Sequence, residues 1–267
     1  KIMIGRRVAY GNMRNIKLTI EYDGTNYHGW QSQSNAVTIQ DVVKKAICTL
    51  TGEECVLTGA SRTDRGVHAL GQVANFFTNS KIPADKFSFA LNTLLPDDIV
   101  IKKSEEVDMD FHSRFSSRGK KYKYLIYNSR KPSALLRNRA ALVHLPLDVE
   151  AMKKSLTYFL GTHDFSAFRA SGSDIKTSVR TITGISLNEI SSMIAGDGEN
   201  GSKLLELEIS GDGFLYNMVR IIAGTLIYVG SGKLKSDDIP SIIESRDRSR
   251  AGKTAPAHGL YLVEVYY

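Results

Sequence analysis

Ile16, Leu18, Ile20 and Tyr22 alternate with Lys17, Thr19, Glu21 and Asp23, and the period then changes. Behind Thr38, the apolar residues Ile39, Val42, Val43, Ala46, Ile47 and Leu50 recur at helical spacing. A period of two puts one set of side chains on one face of a strand, and a period near 3.6 lines one face of a helix. Both apolar sets leave water only if that strand and that helix pack on each other, so an isolated helix or a bare sheet is excluded. Further switches follow: a strand at Cys55 to Thr58, a polar loop at Ala60 to Gly66, a strand at Val73 to Thr78, a helix from Ala84 to Leu95, and a strand at Ile99 to Val107. The order β-α-β-β-α-β is the split β-α-β, or ferredoxin-like, arrangement.

The second half varies the same theme. Lys120 to Asn128 reads as a strand, and Asp148 caps a helix running to Leu160, with Gly161 placed to end it. Val179 to Ile190 and Lys203 to Ile209 read as a hairpin joined by the Gly-, Asp- and Asn-rich stretch 196–201. Asn217 to Val229 is a strongly apolar helix, Ser236 to Ser245 a shorter one, and Gly259 to Tyr267 a closing strand. The expected class is therefore α+β: two ferredoxin-like halves, with antiparallel sheets flanking a basic active-site cleft. The expected division is an N-terminal extension or tag (1–12, with Met13 a candidate start), an N-terminal α+β domain carrying the Asp64 loop (13–115), and a C-terminal α+β domain (116–267).

A chain of 267 residues can bury cores of that size. No apolar run approaches the ~20 residues that span a bilayer, and the basic first residues lack the apolar stretch of a secretory signal. Cys48 and Cys55 are too few for a disulfide framework and match no zinc spacing, and the histidines are scattered singly, so reduced thiols, no metal site and a cytoplasmic setting are expected. Lys and Arg number 35 against 28 acidic residues, a net charge of +7, which favours a polyanionic partner. Basic residues interleave with aromatics at Arg114, Phe115, Arg118, Lys120, Lys121, Tyr122, Lys123, Tyr124, Tyr127, Arg130 and Lys131, and further clusters stand at Arg137 with Arg139 and at Arg246, Arg248 and Arg250. Cations can track phosphates while aromatics stack on bases, although strands also carry lysines on a solvated face.

The stretch Gly59-Ala60-Ser61-Arg62-Thr63-Asp64-Arg65-Gly66-Val67-His68-Ala69 sets a carboxylate between two arginines in a loop between strands. A plain turn would use these residue types too. Chemically, flanking cations would hold Asp64 ionised, the form that acts as nucleophile or base. Arg220 interrupts the apolar run Met218, Val219, Ile221, Ile222 and Ala223. An unpaired buried charge is costly, so Arg220 calls for a carboxylate partner, whose identity the spacing leaves open. By periodicity alone, Tyr122 and Leu260 read as core.

The loop resembles the signature of the tRNA pseudouridine synthase A family, in which Arg-Thr-Asp-x-Gly-Val-His carries the catalytic aspartate; position 65 is Arg where many members carry Ala. Asp23-Gly24-Thr25-Asn26-Tyr27-His28-Gly29-Trp30-Gln31, Ala90-Leu91-Asn92 with Leu94-Leu95-Pro96, Lys120-Lys121-Tyr122-Lys123-Tyr124, Gly161-Thr162-His163-Asp164-Phe165, Phe214-Leu215-Tyr216-Asn217-Met218-Val219-Arg220 and Ala255-Pro256-Ala257-His258-Gly259-Leu260-Tyr261-Leu262 continue the resemblance in order. It implies isomerisation of uridine to pseudouridine on the 3′ side of the tRNA anticodon stem-loop, by a homodimer that holds the tRNA between its subunits. It also implies that Asp64 is catalytic, Arg62 helps replace the flipped-out uridine in the RNA, Tyr122 stacks on the target uracil, Leu260 packs against it, and Arg220 pairs with Asp64. The reaction gains and loses no atoms, so no cofactor and no metal are expected. Both chemistries open to Asp64, attack on the ribose and abstraction of a proton from it, act at the sugar. Two rivals remain: an RNA clamp without catalysis, and a cofactor-free nucleoside or glycoside hydrolase, which would ordinarily need a second carboxylate.

Overall fold

The computed structural model describes residues 13–172, 177–191 and 201–267. The expected extension 1–12 and nearly all of the 196–201 hairpin connection lie outside the described residues. The fold is mixed α/β. Its strands are β1 (Arg14–Tyr22), β2 (Thr58–Gly59), β3 (His68–Thr78), β4 (Ile99–Val107), β5 (Gly119–Asn128), β6 (Ala141–Val143), β7 (Gly161–Asp164), β8 (Val179–Glu189), β9 (Lys203–Gly211) and β10 (Leu260–Tyr266). Its helices are α1 (Ile39–Thr51), α2 (Phe87–Asn92), α3 (Val149–Leu156), α4 (Met218–Gly230) and α5 (Ile239–Ser245).

β1 has the period-two burial its sequence dictates, with Ile16, Leu18 and Ile20 fully buried. It pairs antiparallel with β3 on one side and β4 on the other, and β2 adds to β3. Against this group α1 lays Ile39, Val43, Ala46 and Ile47; Thr38 caps the helix by accepting from Asp41 N, and Gly52 ends it at φ 71°. Cys48 and Cys55, the two free thiols, lie 4.0 Å apart beside α1. In the second half β5, β9 and β8 run antiparallel in series, β7 extends β8, and α4 packs with α3 over them.

The expectation of two sheets needs correcting. Among the described residues all ten strands form one sheet, with β4-β1-β3-β10-β5-β9-β8-β7 along its main path. The join is β10, parallel to β3 through Tyr261–His68 and Leu262–Ala69, and antiparallel to β5. Its side chains divide accordingly: Leu260 packs into the core of the second half, whereas Leu262 and Val265 complete the core of the first. The last strand of the chain thus closes the core of the first half.

Smaller departures have local causes. The helix expected from Ala84 to Leu95 is a 3₁₀ turn, Ala84–Lys86, followed by the short α2. The Asn92 side chain donates to Ile101 O and accepts from Ile101 N, drawing the chain toward β4, and Pro96 disfavours helix just before it. The helix from Asp148 stops at Leu156 and tightens into a 3₁₀ turn, Thr157–Phe159. Of the strand at Cys55 to Thr58 only Thr58 pairs, and the short β6 and β7 carry too little pattern to be read from sequence.

Because Leu262 is fully buried in the first-half core, Leu262→Ala is expected to lower the unfolding free energy by about 2–5 kcal/mol. Urea denaturation checks the loss, and hydrogen exchange should show faster opening of β3. Loss confined to the C-terminal strand would contradict the closing role of β10.

Candidate active site

Asp64 sits in the loop between β2 and β3, and the motif from Asp23 to Gln31 explains how that loop is held. Trp30 N donates to Thr63 O at 3.0 Å, and the Tyr22 and Thr63 hydroxyls share a 2.6 Å hydrogen bond. Gly29, at φ 90°, passes so close that a Cβ there would stand 2.5 Å from Thr63 O; at Gly24 a Cβ would stand 2.0 Å from Val67 O. Glycine is required at both points because backbone lies directly against backbone. On the far side Gln72 closes a two-way bond with Ser61, accepting from its N and donating to its O. Val67 N donates to Asp64 O, completing the turn that presents the carboxylate.

Arg220 enters from α4. Its Nη1 donates to Asp64 Oδ2 at 3.2 Å and to Asn217 Oδ1 at 2.7 Å, and its Nε donates to Ala255 O at 2.8 Å. Asn217 holds a left-handed conformation, φ 61°, which Asn tolerates better than most residues. The carboxylate is the partner that Arg220 calls for on physical grounds. Both side chains are largely covered, Asp64 at 25% and Arg220 at 16% exposure. Burial pushes the Asp64 carboxyl above its ordinary value, and Arg220 pulls it part of the way back.

The flanking arginines do not do what the sequence suggests. Arg62 and Arg65 are exposed, while Ser61 and Thr63 point inward, and the cation that favours ionised Asp64 is Arg220. In so tightly anchored a loop, successive side chains leave in opposite directions.

A cavity of about 1020 Å³ opens beside this pair. Arg62, Asp64, Tyr122 and Leu260 all line it; Arg220 does not, standing behind the carboxylate. Tyr122 meets the Phe214 ring edge-on at 5.2 Å. Burial pushes its hydroxyl up to about 12; the neighbouring Ser61 hydroxyl opposes the rise and the Asp64 charge adds to it. Ser61 Oγ is itself buried and makes no hydrogen bond of proper geometry among the described residues, so its nearness to Tyr122 is a contact and not a bond. Leu260 is held by its neighbours: Tyr124 Oη donates to Pro256 O, and Gly259 lies against the Tyr124 ring, leaving no room for a Cβ. Behind it, the buried His68 bridges the halves. Burial lowers its pKa, and as a neutral ring it donates from Nε2 to His258 O and accepts Gly24 N–H at Nδ1. The cation that pairs with Asp23 is therefore Arg139, at 2.8 Å, and not His68, despite the 3.0 Å approach of Nδ1.

The basic stretch divides along β5. Lys121 and Lys123 pair with Glu208 and Glu206 of β9, and Tyr124 is buried in the core, Tyr127 nearly so. Arg246 pairs with Asp164. Lys120, by contrast, lines the cavity with Arg114 and Phe115, its Nζ donating to Ala60 O at 2.9 Å. Burial, with Arg114 adding, pulls the Lys120 ammonium down to about 8. Residue types alone did not reveal Gln72 or Asn217 as supports; a buried amide and an Asn ahead of an apolar helix are the signals they left. No group of three His, Cys, Asp or Glu is placed to hold a metal ion, and no helix is long and apolar enough to cross a membrane, among the described residues.

A family model described as tRNA pseudouridine synthase matches residues 18–116 and 156–267. The tRNA pseudouridine synthase A of Acetivibrio thermocellus is 66% identical over 255 residues, covering 96% of this chain and 100% of that protein. Those of Ruminiclostridium cellulolyticum and of a Thermoanaerobacter species are 59% and 52% identical, each with the same coverage of 96% and 100%.

Three outcomes follow from the geometry. Asp64 should titrate, by carboxyl NMR, above the ordinary aspartate value of about 4, and Arg220→Gln should move it higher still; a downward move would show that another cation holds it. Since the folded value is raised, ionisation of Asp64 opposes folding, and Asp64→Asn should gain stability relative to wild type as pH rises through that value. Gly29→Ala should destabilise the protein by about 1–3 kcal/mol through left-handed strain and the clash with Thr63 O, read by thermal unfolding. An unchanged melting temperature would contradict the tight approach.

Proposed function

The chain belongs to the tRNA pseudouridine synthase family, and from that premise we propose that it isomerises uridine to pseudouridine on the 3′ side of the tRNA anticodon stem-loop, with Asp64 as its essential carboxylate. The observation that carries this reading is the Asp64–Arg220 pair on the wall of a cavity that Tyr122 and Leu260 also line. A uridine must leave its stack to enter such a cavity, which costs a few kcal/mol. Arg62, exposed at the rim, is suited to fill the space that the base leaves in the RNA. Tyr122 stacks on the uracil and Leu260 packs against it.

In the reaction the bond from C1′ to N1 breaks, the base turns, and a bond from C1′ to C5 replaces it; C5 loses a proton and N1 regains one, so atoms balance. Asp64 acts at the sugar, by attack on it or by removing a proton from it, and either role requires the ionised carboxylate. Arg220 orients that carboxylate and favours its charge without facing the cavity. Neither step calls for a metal or an organic cofactor. Among the described residues Asp64 is the one carboxylate that lines the cavity, where a hydrolase would ordinarily use two, which favours isomerisation over release of free uracil.

We read residues 13–115 and 116–267 as two ferredoxin-like domains with the basic cleft at their seam. Support comes from the antiparallel order β4-β1-β3-β2 of the first and from the two separate cores. The working form is a cytoplasmic homodimer, with tRNA held across both subunits.

Incubation of the protein with an unmodified tRNA transcript, followed by chemical mapping of pseudouridine, tests the reading. Wild type should modify the anticodon arm, and Asp64→Asn should lose at least about 10³-fold in rate, as expected when a residue essential to the chemistry is removed. Product from both proteins would remove Asp64 from the chemistry; a folded wild type that makes none with any tRNA would overturn the function.

A further inference from the structure

Next to the cavity the chain makes an unusually well-anchored turn that the reaction at Asp64 does not use. Ser113 is fully buried and tied at three points: its N donates to Asn75 Oδ1 at 2.9 Å, its Oγ to Thr58 O at 2.6 Å, and its carbonyl accepts from Tyr267 Oη at 2.7 Å. Just before it, His112 Nδ1 accepts from the backbone N of both Arg114 and Phe115, at 3.2 and 3.3 Å. The His112 and Phe115 rings lie 4.3 Å apart, yet Phe115 remains 75% exposed. Exposing a phenyl ring wastes the burial it could have had, and ring and rim are held rigid around it.

Two cations line the same cavity as the ring. The Arg114 guanidinium stands 5.6 Å from the Phe115 centroid, and Lys120 is largely covered, its one hydrogen-bond partner among the described residues being the Ala60 carbonyl. Among the described residues neither makes an ion pair with a carboxylate, unlike Lys121 and Lys123 on the same strand. A covered ammonium beside a second cation is costly unless an anion joins it.

We propose that Arg114, Phe115 and Lys120 form a second nucleotide subsite, beside the one for the reacting uridine: the two cations hold a backbone phosphate of the RNA, and the Phe115 ring takes the base of a flanking nucleotide as the next layer of the His112–Phe115 stack. This rests on the RNA reading of the cavity and extends it to how the strand next to the flipped base is kept in register. Stacking of this kind tolerates any base, because every base has a π-face. Lys120 would gain its missing anion when RNA binds, and the depressed ammonium value would rise.

The test measures tRNA affinity with Asp64→Asn, so that binding is read without turnover, and compares it with the same protein carrying Phe115→Ala or Arg114→Gln. Both side chains are exposed, so neither change threatens the fold. Phe115→Ala should weaken binding at least about fivefold, the low end for loss of one base stack. A single abasic site at one nucleotide flanking the target should cost the Asp64→Asn protein the same factor and cost the Phe115→Ala variant nothing further. Arg114→Gln should reduce the slope of log affinity against log salt by about one, as loss of one phosphate contact does. Additive effects of Phe115→Ala and of every flanking abasic site, or affinity and salt slope unchanged by either substitution, would overturn the subsite. Turnover of wild type is read separately, so an inactive but RNA-binding protein would refute the isomerase reading while these affinities still decide the subsite.

Discussion

The structure turns on one ion pair, Asp64 with Arg220, drawn from positions 156 residues apart. Neither charge is at home where it sits: the arginine interrupts an otherwise apolar helix, and the carboxylate is three-quarters covered. Removing one partner of a fully buried pair costs about 3–5 kcal/mol, and less where some water reaches it. The surrounding structure spends its polar groups on this meeting. Asn217 and Ala255 fix the guanidinium from two sides, while Trp30, Tyr22 and Gln72 fix the loop that carries the carboxylate. Burial still outweighs the arginine in setting the Asp64 proton affinity. That balance is useful to a catalyst: a carboxylate whose charge a cation favours yet which is poorly solvated is more reactive than one in water.

The same seam explains the path of the sheet. Asp64 belongs to the first half and Arg220 to the second, so the pair holds only if the halves are locked in register. β10 does this by pairing with β3 and β5 at once and by dividing Leu260 and Leu262 between the two cores. Tyr122 also packs against both cores, and Val67, two residues beyond Arg65, buries itself in the core of the second half. The cavity wall is thus built on backbone anchored to both cores, the kind of support that positioning of a reacting group within fractions of an ångström requires.

Much of this was legible in the residues. The alternation of Ile16 to Tyr22, the face of α1 and the apolar run broken by Arg220 each dictate one burial solution, and the structure adopts it. The resemblance along the chain pointed to the residues that line the cavity, and charge burial alone demanded a partner for Arg220. What stayed hidden was of two kinds. The union of the sheets depends on parallel pairing of two residues of β10 with β3, a long-range contact with no local pattern. The roles of the cations depend on which way each side chain leaves its backbone: Arg62 and Arg65 stand exposed at the cavity rim, Lys121 and Lys123 find glutamates across the sheet, and of the three β5 lysines Lys120 alone turns into the cavity.

The most direct test of the central claim is the pH dependence of the single-turnover rate of pseudouridine formation, for wild type beside Arg220→Gln. If ionised Asp64 drives the reaction and Arg220 sustains its charge, the rate falls on the acid side with a midpoint above the ordinary aspartate value of about 4, and Arg220→Gln shifts that midpoint upward. A rate indifferent to pH across that range, or an acid limb unmoved by the loss of Arg220, would contradict it.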